Sequence, residues 1–403
     1  MTNQLQSFAL WLDGLLQKLG FGNSAVVVVE AVLGVLALVI LVLLVDILLV
    51  WVERKVVARF QDRLGPNRLG PFGLIQPIAD VIKLLIKENL MPKGADRFLF
   101  NLAPIMALAT ILLLWAVIPL APSLVGTDLD VGVLYIVAIG ALSTLGIIIA
   151  GWAANNKYAL LGAFRAVAQM VSYEVPMVLS LMVPVILVGS MSIYEIVNQQ
   201  SFPFLLIAPV AALILLVSSI AELGRAPFDL VEAESEIVAG FHIEYSGMKF
   251  GMFYAGELLH ALTIGALFAT FFLGGWRGPF VEQVPILGVF YLFIKAFFIY
   301  WVIMWVKYSL PRIRIDHMLN FNWKFLTPLA IVLVMVVAVL QKVLTGVAPW
   351  IYILSMLAAN LILIWIALSL VRVYVSQERK RVAEVKPVAR PDSVPLSTNS
   401  NGD

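Results

Sequence analysis

The stretch AVVVVEAVLGVLALVILVLLVDILLVW, residues 25–51, runs for 27 positions with two charges, Glu30 and Asp46. About 20 apolar residues in a helix cross ~30 Å of hydrocarbon. Inside that medium every backbone N–H and C=O must be bonded within the segment, so an isolated apolar run of this length can only be a helix. Comparable runs recur near 99–121, 131–152, 170–190, 204–221, 250–274, 285–306, 325–345 and 349–371, nine in all with the first. Pro119, Pro122, Pro203 and Pro349 fall at or near their ends, where breaking a helix costs least. The 403-residue chain is 62% hydrophobic and 13% charged, about half the charge of a soluble domain. The fold expected is all-α: a polytopic transmembrane helix bundle of about nine spans forming a single domain over 1–375. The polar, Pro- and Ser-containing tail 376–403 is expected to be disordered and cytoplasmic.

The basic residues test this layout. Segments 53–97, 155–165, 222–249, 307–324 and 372–403 hold 23 of the 27 Lys and Arg, and the alternate segments hold Lys18, Arg277 and Lys342. Positive charge collects on the cytoplasmic side, which implies an outside N-terminus and an inside C-terminus. The start lacks a basic region and a small-residue cleavage site, so the first run is expected to be a retained helix. With no cysteine, disulfides, thiolate-held iron–sulfur clusters and Cys-based zinc sites are excluded. His242, His260 and His317 have no metal-ligand spacing, and neither a phosphate loop nor a dinucleotide fingerprint is present.

The first inside segment reads ERKVVARFQDRLGPNRLGPFGLIQPIADVIKLLIKE, residues 53–88. Its doubled Gly-Pro turn suits a tight loop. From Phe72 to Glu88, Leu74, Ile75, Ile78, Ile82, Leu85 and Ile86 form one helical stripe opposite Gln76, Asp80, Lys83 and Lys87. That pattern predicts an amphipathic helix lying in the membrane interface. Taken alone, it favours a plain surface helix. The interleaved Glu53, Arg54, Arg59, Asp62, Arg63 and Arg68 point further, to a packed polar surface for another protein.

Ionisable groups also sit at membrane depth, where they are costly and mark function: Asp46, Glu174, Glu257, His260 and Lys295. Glu30 lies close enough to the outer end to be hydrated. Glu257 and Lys295 are candidates for a pair across helices. The densest group surrounds FDLVEAESEIVAGFHIEYSG, residues 228–247. Glu222, Asp229, Glu232, Glu234, Glu236 and Glu244 crowd one short segment with a single fixed cation, Arg225. A solvated acidic loop is the plain reading, but the acids alternate with Phe228, Leu230, Ile237, Val238 and Phe241. Pro227 breaks any continuous helix, and polar groups at such a break line a cavity. Neighbouring carboxylates cannot all ionise, so the cluster can hold and pass protons.

Three blocks, GWAANNKYALLGAFRAVAQMVSYEVP (151–176), AELGRAPFDLVEAESEIVAGFHIEYSGMKFG (221–251) and LPRIRIDHMLNFNWKFLTPL (310–329), resemble the quinone-side membrane subunit of proton-pumping NADH:quinone oxidoreductase, respiratory complex I. With the 53–88 block, the resemblance spans most of 45–345. It implies a quinone entry tunnel built by the first span, the surface helix and the inside loops against hydrophilic-arm subunits. Glu53, Arg54, Arg63, Asp80, Lys83, Arg225 and Asp229 match tunnel positions. Glu174, Glu222, Glu232, Glu234, Glu236, Glu244 and Glu257 match the acidic path coupling quinone chemistry to small and antiporter-like pumping subunits. Arg312, Arg314 and Asp316 match a docking segment, and Lys307 stands where Arg is usual. The resemblance further implies a bacterial plasma membrane, no nucleic acid partner, no redox activity of the chain alone and no cofactor bound by it. NADH, FMN and iron–sulfur clusters would sit in partner subunits, with quinone as substrate.

Three rivals follow from the same residues. A homologous subunit of an energy-converting hydrogenase or ferredoxin-linked complex would share these blocks. A secondary ion transporter would explain buried charges and broken helices, although no internal repeat is visible. A scaffold would use the charges for docking alone.

Overall fold

A computed structural model describes residues 18, 22–122, 124–230 and 238–384. In chain order its helices are α1 (Asn23–Phe60), α2 (Gln76–Ile86), α3 (Arg97–Trp115), α4 (Gly132–Ala153), α5 (Lys157–Val188), α6 (Ile193–Gln199), α7 (Phe204–Ile207), α8 (Pro209–Glu222), α9 (Gly247–Phe272), α10 (Ile286–Ser309), α11 (Ile315–Phe321), α12 (Thr327–Val343) and α13 (Pro349–Glu384). Among the described residues eight helical stretches are long and apolar enough to cross a membrane, α11 and α12 counting as one continuous stretch. The protein is an all-α, multi-pass membrane bundle.

The run 204–221 differs from the expectation. It is divided into α7 and α8 at Ala208, whose backbone leaves the helix (φ −131°, ψ 64°) just before Pro209. The 14 residues of α8 rise only about 21 Å, short of the hydrocarbon thickness. At the other end α13 continues to Glu384, beyond residue 376, because QERKRVAE is made almost wholly of good helix formers. Residues 385–403 lie outside the described residues.

Local chemistry sets the boundaries. Asp96 caps α3, its carboxylate accepting from the N–H of Phe98 (3.0 Å) and Leu99 (3.1 Å), and Asn156 caps α5 through the N–H of Tyr158. Within α5, Pro176 has no N–H to offer the carbonyl of Ser172. Asn322 Nδ2 donates to that carbonyl at 2.6 Å instead, from a π-helical turn, Asn322–Leu326, that joins α11 to α12. A proline inside a span is tolerated when a neighbouring helix satisfies the freed group. The Gly-Pro loop before α2 is as tight as its sequence implied: Gly73 has φ +78°, and a Cβ there would lie 2.2 Å from the Pro66 carbonyl oxygen.

The centre of the bundle is α9, packed against α10 and α3. In its most apolar 18-residue stretch 78% of residues are buried, against 17–44% for the other spans. Glu257 and Lys295, the candidates for a pair across helices, do not meet. Lys295 Nζ donates to the carbonyls of Leu273 (2.9 Å), Gly275 (2.9 Å) and Arg277 (2.8 Å) and so closes the C-terminal end of α9. Because α9 and α10 run antiparallel, Lys295 lies near their connection, whereas Glu257 sits about four turns before the end of α9.

Close approach of α9 to α10 depends on Gly265, where a Cβ would fall 2.5 Å from the Ala296 carbonyl oxygen. Backbone cannot yield as a side chain can. Gly265→Ala is therefore expected to cost ~1–3 kcal/mol by overpacking. A detergent thermal-unfolding series should show a lower midpoint than for the parent, with Gly34→Ala, whose Cβ meets nothing within 4 Å, as the unaffected control.

Candidate functional site

Helix α1 runs nine residues past its apolar stretch, to Phe60, and carries Glu53 into the bundle, 6% exposed. Lys307 Nζ (2.9 Å) and Tyr308 Oη (2.8 Å), from the end of α10, both donate to Glu53 Oε1. Arg225 Nη1 lies 3.6 Å from the same oxygen, and Arg225 Nε donates to Glu257 Oε1 at 3.0 Å. Arg225 is 2% exposed. It therefore forms the buried middle of a ladder: Lys307 and Tyr308, then Glu53, then Arg225, then Glu257.

The turn after α8 that presents Arg225 is held from two sides. Gln169, fully buried on α5, donates through Nε2 to the carbonyls of Ala221 (2.6 Å) and Phe228 (2.7 Å). The N–H of Ile313 donates to the Pro227 carbonyl at 2.9 Å. Burial alone would lower the Arg225 pKa, but Glu257 and Glu53 outweigh it and hold the guanidinium above its ordinary value. A charge so enclosed is tolerated only with its partners in place.

Two cavities flank the ladder. One, of about 830 Å³, opens between the end of α1, the Gly-Pro loop and α2, and is lined by Glu53, Arg54, Arg63, Asn67, Tyr254 and Tyr308 among others. The second, of about 90 Å³, lies deeper and is lined by Glu222, Glu257, His242 and His260 with Phe241, Phe253 and Tyr254. Tyr254 lines both. In the second cavity His260 Nε2 is 4.0 Å from Glu222 Oε1.

The remaining sequence-predicted residues distribute around this frame. Arg54 Nη1 pairs with Asp80 Oδ2 at 2.5 Å, and Lys83 Nζ with Asp80 Oδ1 at 3.1 Å, which moors α2 to α1. Burial would raise the Asp80 pKa, but the Lys83 hydrogen bond and the Arg54 charge more than offset it, and the carboxyl sits below its ordinary value. Arg63 bonds Gln61 at 2.7 Å on the rim of the larger cavity. Asp229 is half-buried in the Arg225 turn. Glu174, half-buried on α5, is within electrostatic reach of Glu222. Glu244 lines neither cavity and accepts from Asn156 Nδ2 at 2.7 Å. Glu232, Glu234 and Glu236 lie outside the described residues. Ahead of and within α11, Arg312 is half-buried while Arg314 and Asp316 are exposed.

Four residues of the site carried no assignment in the sequence. Lys307 stood out only as a retained charge. Tyr254, one turn before Glu257, Tyr308 and Gln169 are ordinary in apolar surroundings until the fold places them.

The chain matches the NADH dehydrogenase family over residues 33–338. It is 50% identical over 285 residues to the H-type NADH-quinone oxidoreductase subunit of Dehalococcoides mccartyi strain CBDB1, covering 71% of this chain and 79% of that protein. It is 48% identical over 298 residues to an H-type subunit of the same enzyme from Geobacter sulfurreducens, covering 72% and 89%. It is 40% identical over 346 residues to the H-type subunit of Anoxybacillus flavithermus, covering 85% and 99%. The match takes in both cavities and the whole ladder from Glu53 to Lys307, and the chain belongs to this family of complex I membrane subunits.

Proposed function

We propose that this chain is the quinone-receiving subunit of a proton-translocating NADH:quinone oxidoreductase. In that role it forms the entry tunnel and the first part of the charge path toward the pumping subunits. One observation carries the reading: Arg225 joins the rim of the larger cavity, at Glu53, to the wall of the acidic one, at Glu257.

The larger cavity, about 830 Å³, falls within the ~300–1,000 Å³ usual for small-molecule sites. Its charged rim of Glu53, Arg54 and Arg63, with Asp80 and Lys83 fixing α2 beside it, suits a polar head group arriving from the lipid phase. Reducing a quinone consumes two protons and changes the charge beside Glu53. Glu53 and Glu257 share one guanidinium, so a change at Glu53 alters how fully Glu257 is neutralised. From Glu257 the effect passes to Glu222 and Glu174, and Asp229, Glu232, Glu234, Glu236 and Glu244 extend the acidic segment. Arg312, Arg314 and Asp316 present the docking surface for hydrophilic-arm subunits, which carry NADH, FMN and iron–sulfur chemistry. Small and antiporter-like membrane subunits receive the proton path. The distribution of Lys and Arg supports an outside N-terminus and a cytoplasmic C-terminus in a bacterial plasma membrane.

A tunnel can be plugged. Val57 lines the larger cavity, and Val57→Trp would fill part of it while leaving the ladder residues themselves unsubstituted. In membranes holding the assembled complex, NADH:quinone turnover is expected to fall on the order of tenfold or more. NADH oxidation by a hydrophilic acceptor that bypasses the quinone site should be unchanged. Normal quinone turnover in the assembled variant would overturn the tunnel.

A further inference from the structure

The acidic cavity holds a group the charge path above leaves unused. His260 sits one turn beyond Glu257 on α9, its side chain 13% exposed, with Nε2 4.0 Å from Glu222 Oε1. Glu222 and Glu257 line the same cavity of about 90 Å³ from different elements, α8 and α9. Among the described residues no hydrogen bond joins these two carboxylates directly, so a proton passing from one to the other needs an intermediate carrier. A cavity of this size has room for several waters, and His260 places an imidazole one turn from Glu257 and 4.0 Å from Glu222.

We infer that His260 is a proton-carrying residue that links Glu257 to Glu222 across this cavity, in the relay proposed above and resting on it. The transfer balances without any redox partner. A proton leaves a Glu257 carboxyl oxygen and an N–H bond forms at one ring nitrogen, giving an imidazolium. The N–H bond at the other nitrogen then breaks and an O–H bond forms on Glu222, directly after a small approach or through one cavity water. The net change is one proton moved from Glu257 to Glu222, with the imidazole neutral again in its other tautomer. Arg225 Nε occupies Glu257 Oε1 at 3.0 Å, so transfer through that oxygen follows a shift of Arg225 toward Glu53. The relay is thereby tied to events at the larger cavity. Other charged or titratable groups facing the ring are Tyr254 on α9, His242 from the 238–246 segment, Arg225 from its turn and Glu174 through Glu222. His242 lines the same cavity, and burial holds it below its ordinary pKa, against the pull of Glu257.

The test uses membranes carrying the assembled complex with His260→Asn and, as a second variant of different length, His260→Gln. Three quantities are read: quinone turnover against pH, protons moved per electron, and turnover with the bypass acceptor. The inference predicts unchanged bypass activity, quinone turnover reduced several-fold near neutrality, an altered pH profile and a lower proton ratio in both variants. Unchanged quinone turnover, proton ratio and pH profile would overturn it. So would a uniform fall in turnover with the pH profile and proton ratio intact, because that marks a packing role. The Val57→Trp plug separates the two readings. If the plug blocks quinone turnover while the His260 variants behave as the parent, only the histidine step fails. If the plug has no effect, the quinone assignment fails first.

Discussion

Arg225→Met is expected to abolish quinone turnover and to lower the amount of assembled complex. Methionine keeps most of the volume and removes the one charge that Glu53 and Glu257 share. Arg225 is 2% exposed and Glu53 6%, so water cannot replace it. Breaking a buried pair from one side costs ~3–5 kcal/mol, because a charge is left enclosed without compensation. That is a large part of the ~5–15 kcal/mol that holds a typical domain folded. Arg225→Lys separates the electrostatic from the geometric contribution. Lysine restores the charge but offers one point where the guanidinium reaches one carboxylate through Nε and the other through Nη1. Assembly on a native gel should recover with lysine, and quinone turnover should recover only in part. An Arg225→Met complex that assembles and turns over normally would show that the ladder has neither a structural nor a coupling role.

The reach of the sequence was set by physical contrast. Hydrocarbon imposes both a length and a helix on an apolar run, so most spans could be read from composition alone. The run 204–221 could not, because its break at Ala208–Pro209 leaves the apolar content intact and changes only the backbone. Charges in an apolar background were equally visible, which is why Glu53, Arg225, Glu222 and Glu257 stood out before any fold was known. Their pairings were not visible. Arg225 meets Glu257 from 32 positions away, and Lys307 meets Glu53 across 254. Such contacts depend on which helices pack and at what depth, which hydropathy does not encode. The same limit makes Glu257 and Lys295 candidates for a pair, two opposite charges in neighbouring spans that the antiparallel packing places at different levels.

Lys307→Met is expected to be the second most damaging change, and its reason lies in charge balance. Lys307 and Arg225 together neutralise Glu53 and Glu257, so the ladder as built carries no net charge. Without Lys307 one carboxylate is in excess beside the larger cavity, and Arg225 is drawn between two acids it cannot fully serve. Lys307 is one-quarter exposed, which tempers the cost. A hydrogen bond to a charged group contributes ~1.5–3 kcal/mol, and part of that is screened by water at the rim. Quinone turnover should fall on the order of tenfold, since ~1.4 kcal/mol corresponds to that factor, with the bypass activity unchanged. Lys307→Arg restores the charge with two or more donors and should match or exceed the parent. Tyr308→Phe removes only the 2.8 Å bond to the same oxygen and should cost ~0.5–1.5 kcal/mol. The two donors converge on one atom, so the double variant Lys307→Met, Tyr308→Phe should depart from additivity. Additive effects would mean that the lysine and the phenol act on different partners, and Glu53 would then cease to be the point where the larger cavity meets the ladder.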